Sequence, residues 1–426
     1  YGANTIRIVP VSTHPAEATA NAEGFYLHSA FVNAGVVQPG FFRDKYDCSA
    51  NGSVASSIAL AMPMVAGPAA GQVGFSAVGA TNAYYGAFAA ARTRGAKFHP
   101  ETVQQADAIT RISEAHAQAS TATTYCAWWS AGSTNYPKGC DNNALGSTDD
   151  GALTFTSAGA ASYPNMAKTG SGSDFAKTTH NGQACGIADV AGNIYKINPG
   201  MTSIGTGKAI TAATKTNPVQ ITVTGHGRIT GDVAVIESVV GMTQINAKAF
   251  TVTVVDANNL TLDGVDGTAF GTYTSGGTLY NATFYALKPT ADITAITDGA
   301  TLSTDHWGAA GVAANFDPIT LNFRTDYPNN AIGQRYGNGS NAVFSTATAA
   351  DRARTMLGMP AAGGVSPSGS SLMGTDYYYE HMVDQLCVIS RGAWNYGSYA
   401  GGRFRGLNAA RSHASYITGF AACRYL

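Results

Sequence analysis

The chain has 426 residues, of which 50 are Gly; 12% are charged, 45% are hydrophobic and the formal net charge is −1. That length accommodates two or three domains, and the hydrophobic content argues against disorder of the low-hydrophobicity kind. A near-zero charge with no basic excess argues against a nucleic-acid partner, and few charges with abundant Gly, Thr, Asn and Tyr suit a loop-rich or all-β protein of a virion or an extracellular surface.

Along the chain, the first candidate strand follows the Pro39-Gly40 turn, where Phe41, Phe42 and Tyr46 read as buried strand residues. The most apolar run, Val54 to Ala66, holds Ser56 and Ser57 and is broken by Pro63, so no membrane insertion is expected. Thr81 to Gly95 predicts a helix with a Gly stop. His99 to Ser120 predicts a second: Val103, Ala106, Ile109 and Ile112 recur at helical spacing, with Pro100 or Thr102 near the start. Two helices followed by loops and short strands predict an α+β domain.

From about Gly205 to Tyr280 the pattern changes to β-branched runs such as VQITVTGHG, AFTVTVVDANN and LTLDGVDG, separated by Gly, Asn and Asp turns. This is the signature of a small all-β sandwich or barrel. Past Asn281 the mixed composition of the first 200 residues returns, so residues 205–281 read as a module inserted into a loop of a larger domain formed by 1–204 and 282–426.

The six cysteines, Cys48, Cys126, Cys140, Cys185, Cys387 and Cys423, form no CxxC pair, so a zinc site is not expected. Three disulfides and six free thiols both remain open. No HExxH, GxSxG or P-loop pattern occurs, and no cofactor or metal is expected. Gly186 and Gly192-Asn193 fit tight turns that accept positive φ, Asp189 is placed to accept backbone N–H groups, and Trp394 reads as core.

Three segments in order carry a family resemblance: GIADVAGNIYKI (Gly186 to Ile197), RGAWNYGSYAG (Arg391 to Gly401) and the closing TGFAACRYL. With HSAFVNAGVVQPGFFRDKY upstream, the chain resembles the variable proteins of diversity-generating retroelements. These share the C-type-lectin-like fold of formylglycine-generating enzymes. The departures are Tyr195-Lys196 for the family's leading aromatic pair, Arg391-Gly392-Ala393-Trp394 for G-G-x-W and Gly419-Phe420-Ala421 for G-F-R. The inserted module resembles immunoglobulin-like modules of phage tail proteins. The resemblance implies an α+β, C-type-lectin-like domain with an inserted all-β immunoglobulin-like module.

In that family an error-prone reverse transcriptase replaces adenines in a copied 3′ segment, and Asn codons are the usual targets. First- and second-base changes there yield Tyr, Ser, Arg, Phe, Gly, Ala, His or Ile, but never Lys, Glu, Gln, Met or Trp, and those five are absent after Trp394. The resemblance therefore implies an exposed, variable ligand-binding set of Tyr396, Tyr399, Arg403, Phe404, Arg405, Ala409, His413, Ser415, Tyr416 and Ile417. Gly401, Leu407, Arg411, Ser412 and Phe420 form its invariant frame. Tyr offers large contact area at low rotamer cost, and Arg and Phe are common anchors.

The function expected is non-enzymatic receptor binding by a phage tail, to a host-surface protein or glycan, from a homotrimer contacting other virion proteins. The location expected is the virion tail or a cell surface. The alternatives are a structural decoration or filament subunit and, more remotely, a formylglycine-generating-type oxidase, which would need reactive cysteines.

Overall fold

The computed structural model describes residues 13, 16–119, 154–156, 166–171, 179–180, 183–190, 192–203, 207–281, 283–296, 315–319, 332–335, 377–380, 385–394 and 402–426. These are mostly β, with few helices.

The second predicted helix forms as Val103–Ala119. Its start is fixed by a reciprocal capping box: Thr102 Oγ1 accepts the Gln105 N–H at 3.1 Å, and Gln105 Oε1 accepts the Thr102 N–H at 3.0 Å. His99–Pro100, expected inside this helix, is a strand instead, because it pairs with Ala422 and Cys423 near the C-terminus. The first predicted helix is shortened to Gly86–Arg92. The backbone N–H groups of Tyr84 and Tyr85 are taken by the carbonyls of His413 and Arg411, so the turn before it is spent on a long-range contact.

The body is assembled from short strands distant in sequence. A six-stranded sheet runs in the order Ile332–Arg335, Tyr377–Glu380, Arg405–Ala410, Leu386–Ser390, Tyr195–Asn198, Thr418–Gly419. A three-stranded sheet places Ala422–Tyr425 between Phe41–Arg43 and His99–Pro100. Another holds Phe284–Leu287 between Phe316–Ile319 and Met201–Ser203. One apolar cluster, including Phe75, Tyr84, Phe88, Ile197, Trp394, Phe404 and Phe420, joins these layers.

The strand reading around Phe41 holds in part. Phe41–Arg43 is a strand, but Phe42 is 65% exposed and Tyr46 lies outside it, half-buried. The alternation of a sheet edge turns Phe42 outward while Phe41 packs on Phe31 and Tyr425.

Residues 208–281 form a separate seven-stranded sheet with its own core, including Val219, Ile221, Ile236, Val252, Leu260 and Leu279. Its two end strands, Lys208–Ala209 and Ala212–Ala213, are consecutive in the chain. The sheet therefore curls until one bent segment bridges both edges, with Ile210 N–H bonded to Gly277 and Thr211 N–H to Thr222. An immunoglobulin-like sandwich would keep two stacked sheets; here closure of one sheet removes both edges. The module leaves the body between Met201–Ser203 and Phe284–Leu287, which pair antiparallel with Ser203 opposite Phe284. Its ends are thus adjacent, the geometry an insertion requires. Tyr285 Oη donates to Asp232 Oδ2 at 2.8 Å across the junction.

Candidate functional site

The frame of the candidate face begins with the 186–197 turn. Asp189, Gly192 and Asn193 take φ of 55°, 74° and 62°, values open to Gly and tolerated by Asn and Asp. Asp189 Oδ2 accepts the Gly170 N–H at 2.8 Å, and Asn193 C=O accepts the Trp394 N–H at 2.8 Å. Trp394 is 4% exposed.

Beneath this turn lies a buried set of charges. Glu101 Oε1 meets Arg43 Nε at 3.2 Å and Arg391 Nη2 at 3.1 Å, while Lys196 Nζ meets Asp47 Oδ2 at 2.8 Å. Burial alone would raise the Glu101 carboxyl, but Arg391 and Arg43 outweigh it and hold Glu101 below its ordinary value. At Asp189 burial wins, and the nearby charge of Asp47 adds to it, so its carboxyl is pushed up to about 7. Burial likewise lowers Lys196 despite its ion pair. Such a set fixes geometry more than it adds stability.

On this frame the C-terminal residues divide sharply. Arg403, Phe404, Arg405, Ala409 and Ile417 are all buried, at 3%, 2%, 0%, 2% and 8% exposure, so the exposure expected of them does not hold. Arg405 Nη1 donates to the carbonyls of Gly402 and Phe404, at 3.0 and 2.8 Å. Phe404 packs on Tyr195 with ring centroids 5.2 Å apart. Arg403 lies near enough to Asp107 for its charge to help hold that carboxyl down. Tyr396, Tyr399 and Gly401 lie outside the described residues.

His413, Ser415 and Tyr416 are half-buried, and Asn408, Ser412 and Ala414 are exposed. Of the expected frame, Leu407, Arg411 and Phe420 are buried, whereas Ser412 stands at the surface. The guanidinium of Arg411 lies 5.1 Å over the Tyr85 ring. Sequence reasoning assigned Ser412 to the frame and passed over Asn408 and Ala414; Asn408 is exposed at a register shift between Arg405–Ala410 and Leu386–Ser390, which carries no composition signal.

The 411–418 segment is tied down through its backbone. His413 and Arg411 carbonyls accept from Tyr84 and Tyr85; Ser415 and Thr418 carbonyls accept from Gly67 and Ala66. Gln72 Nε2 donates to the Tyr416 carbonyl at 2.9 Å. A Cβ on Gly67 would come within 2.5 Å of Ala414 C, so only Gly admits this approach. Tyr416 rests edge-on against Trp394, centroids 6.1 Å apart. The result is a loop fixed through its backbone, with the Ser412 and Ala414 side chains at the surface, while His413 reaches Thr418 Oγ1 at 3.3 Å and Ser415 Oγ accepts the Ile417 N–H at 3.4 Å. Among the described residues no group of His, Cys, Asp and Glu is placed to hold a metal ion.

The described cysteines, Cys48, Cys185, Cys387 and Cys423, are free thiols, and all but Cys185 are buried; Cys126 and Cys140 lie outside the described residues. Burial pushes the Cys423 thiol well up, opposite to the shift a reactive cysteine needs. No helix among the described residues is long and apolar enough to cross a membrane.

Residues 215–282 match the family model of the ubiquitin-activating enzyme E1 FCCH domain, a span that nearly coincides with the closed β module. A search of curated proteins finds no match to the chain.

Proposed function

We propose that the chain is a recognition protein with a C-type-lectin-like body, related to the variable proteins of diversity-generating retroelements. Its 411–416 loop and the neighbouring Asn408 meet a protein or glycan receptor on a host surface. The carrier is a phage tail, and a homotrimer multiplies the modest affinity of one face through effective concentration. One observation carries the reading: the loop backbone is pinned by bonds to 66–67 and 84–85, while Ser412 and Ala414 stand exposed and His413, Ser415 and Tyr416 remain half-exposed. Binding to a loop that is already ordered avoids the entropy cost of ordering it. The exposed side chains of Ser412 and Ala414 can change without changing the fold.

A structural role as a decoration subunit draws on Val36 and Val37, both 59% exposed, and on Phe42, since apolar surface of this kind suits assembly contacts. The native particle separates the two: a free trimer fits receptor binding, a lattice or filament fits decoration.

Sequencing the 3′ end of the gene across its source population tests the main reading. Expected are substitutions between codons 396 and 417, including those for 412 and 414, confined to adenine positions of a nearby template repeat. A uniform 3′ end with no repeat overturns it.

A further inference from the structure

An open groove of about 710 Å³ lies away from the C-terminal loop, between Phe42 and Phe98. Its volume falls in the range of small-molecule sites. Its wall is built in a specific way. The Phe98 ring has the Arg94 guanidinium 4.5 Å from its centroid and the Arg424 guanidinium 5.8 Å away. Asp44 is the one acid among the lining residues, and both its oxygens face the protein. Oδ1 is 2.5 Å from Arg94 Nη2, and Oδ2 accepts from Cys48 Sγ at 3.1 Å and from the Ala422 N–H at 3.2 Å. Asp44 is thus spent on holding Arg94 in place. The charge left at the groove is positive: Lys45 lines it, with its Nζ also donating to the Ala184 carbonyl at 2.6 Å, and the exposed Arg424 stacks on the Phe98 ring of its wall. Beside these cations the Phe42 ring, 65% exposed, offers a bare apolar face.

We propose that this groove binds a sugar carboxylate, of the hexuronate type. Lys45 and Arg424 meet the anion, Arg94 remaining paired with Asp44 in the wall, and the Phe42 ring takes the C–H face of the pyranose. An acidic peptide is the poorer fit. The strand edges that reach the groove among the described residues are Phe41–Arg43 and Val54–Ser57, of three and four residues, too short to add a useful ladder to an extended chain. This site is independent of the loop proposed above, and neither stands or falls with the other.

The test titrates the full chain with sodium glucuronate, glucose and N-acetylglutamate, followed by calorimetry or by amide NMR shifts around 42–45 and 94–98. Glucuronate is expected to bind at least about tenfold more tightly than glucose, and more weakly as salt rises from about 50 to about 500 mM. Arg424→Gln, Lys45→Gln and Phe42→Ala alter exposed or rim side chains and should each weaken it about fivefold, with near-UV circular dichroism unchanged. Equal binding of glucose, absence of binding, or folded variants that bind glucuronate as the parent does would overturn the proposal. N-acetylglutamate binding as tightly as glucuronate would overturn the sugar assignment.

Discussion

Arg405 and Ala414 lie close together in the chain and have opposite duties. Arg405 is fully buried with its guanidinium on two carbonyls; Ala414 faces solvent from a loop held by its backbone. In the sequence both read as members of one small-residue tail dotted with contact-making side chains. Arginine is rarely fully buried, so its type pointed outward, and nothing local reveals that Gly402 and Phe404 supply it with acceptors. Exposure was therefore legible in part at His413, Ser415 and Tyr416 and misread at Arg403, Phe404, Arg405, Ala409 and Ile417. The distinction is measurable. Ala414→Tyr should change unfolding free energy by no more than about 0.5 kcal/mol. Arg405→Tyr should cost about 3 kcal/mol or more, by loss of the buried hydrogen bonds to the Gly402 and Phe404 carbonyls and by misfit of the ring. Urea unfolding of both variants checks this; equal costs would mean that the loop is no more permissive than the strand beneath it.

Elements with internal periodicity were legible, and those held by distant partners were not. The 103–119 helix announced itself through Val103, Ala106 and Ile109, whereas the capping box of Thr102 and Gln105 emerges only in the structure. Thr102→Ala should lower stability by about 1 kcal/mol, read by urea unfolding. Gln105→Ala should cost a similar amount, and the double variant less than the sum, because either change breaks the same reciprocal pair. The β module was visible for the same reason of local repetition, in β-branched runs separated by turns. By contrast, His99–Pro100 carries a helix-start signal, Pro near N1, and was drawn into the wrong element. What makes it a strand is Ala422 and Cys423, at the far end of the chain. The six-stranded sheet is made of strands of two to six residues with a parallel pair at Thr418–Gly419 against Tyr195–Lys196. Segments that short contain too few alternations to register as strands at all.

At the scale of the whole molecule, the buried titratable groups set opposing demands on pH. His99 is held down to about 4 by burial. The unfolded chain therefore binds more protons than the fold between about 6.5 and 4, and stability falls as pH falls through that window. Asp189, pushed up to about 7 by burial and the charge of Asp47, does the reverse. The fold binds the extra proton from about 4 to about 7, so its contribution is full at the acid end and is lost as pH rises. Over most of that shared range the two slopes oppose each other. Below it, Asp107, held near 2 against its own burial by hydrogen bonding to His28 and the charge of Arg111, adds stability that disappears as the pH drops from about 4. The expected profile is a plateau from about pH 4 to 6.5 with a fall on the acid side. Asp189→Asn retains an oxygen for the Gly170 N–H and tolerates the positive φ, but removes one of the two opposing slopes. In that variant melting temperature should climb between pH 4.5 and 6.5, where the parent is level, and at pH 7.5 the variant should equal or exceed the parent. Thermal melts across that range decide it. Parallel profiles for parent and variant would mean that Asp189 carries no proton beyond its ordinary share and that the buried charges beneath the 186–197 turn are balanced without it.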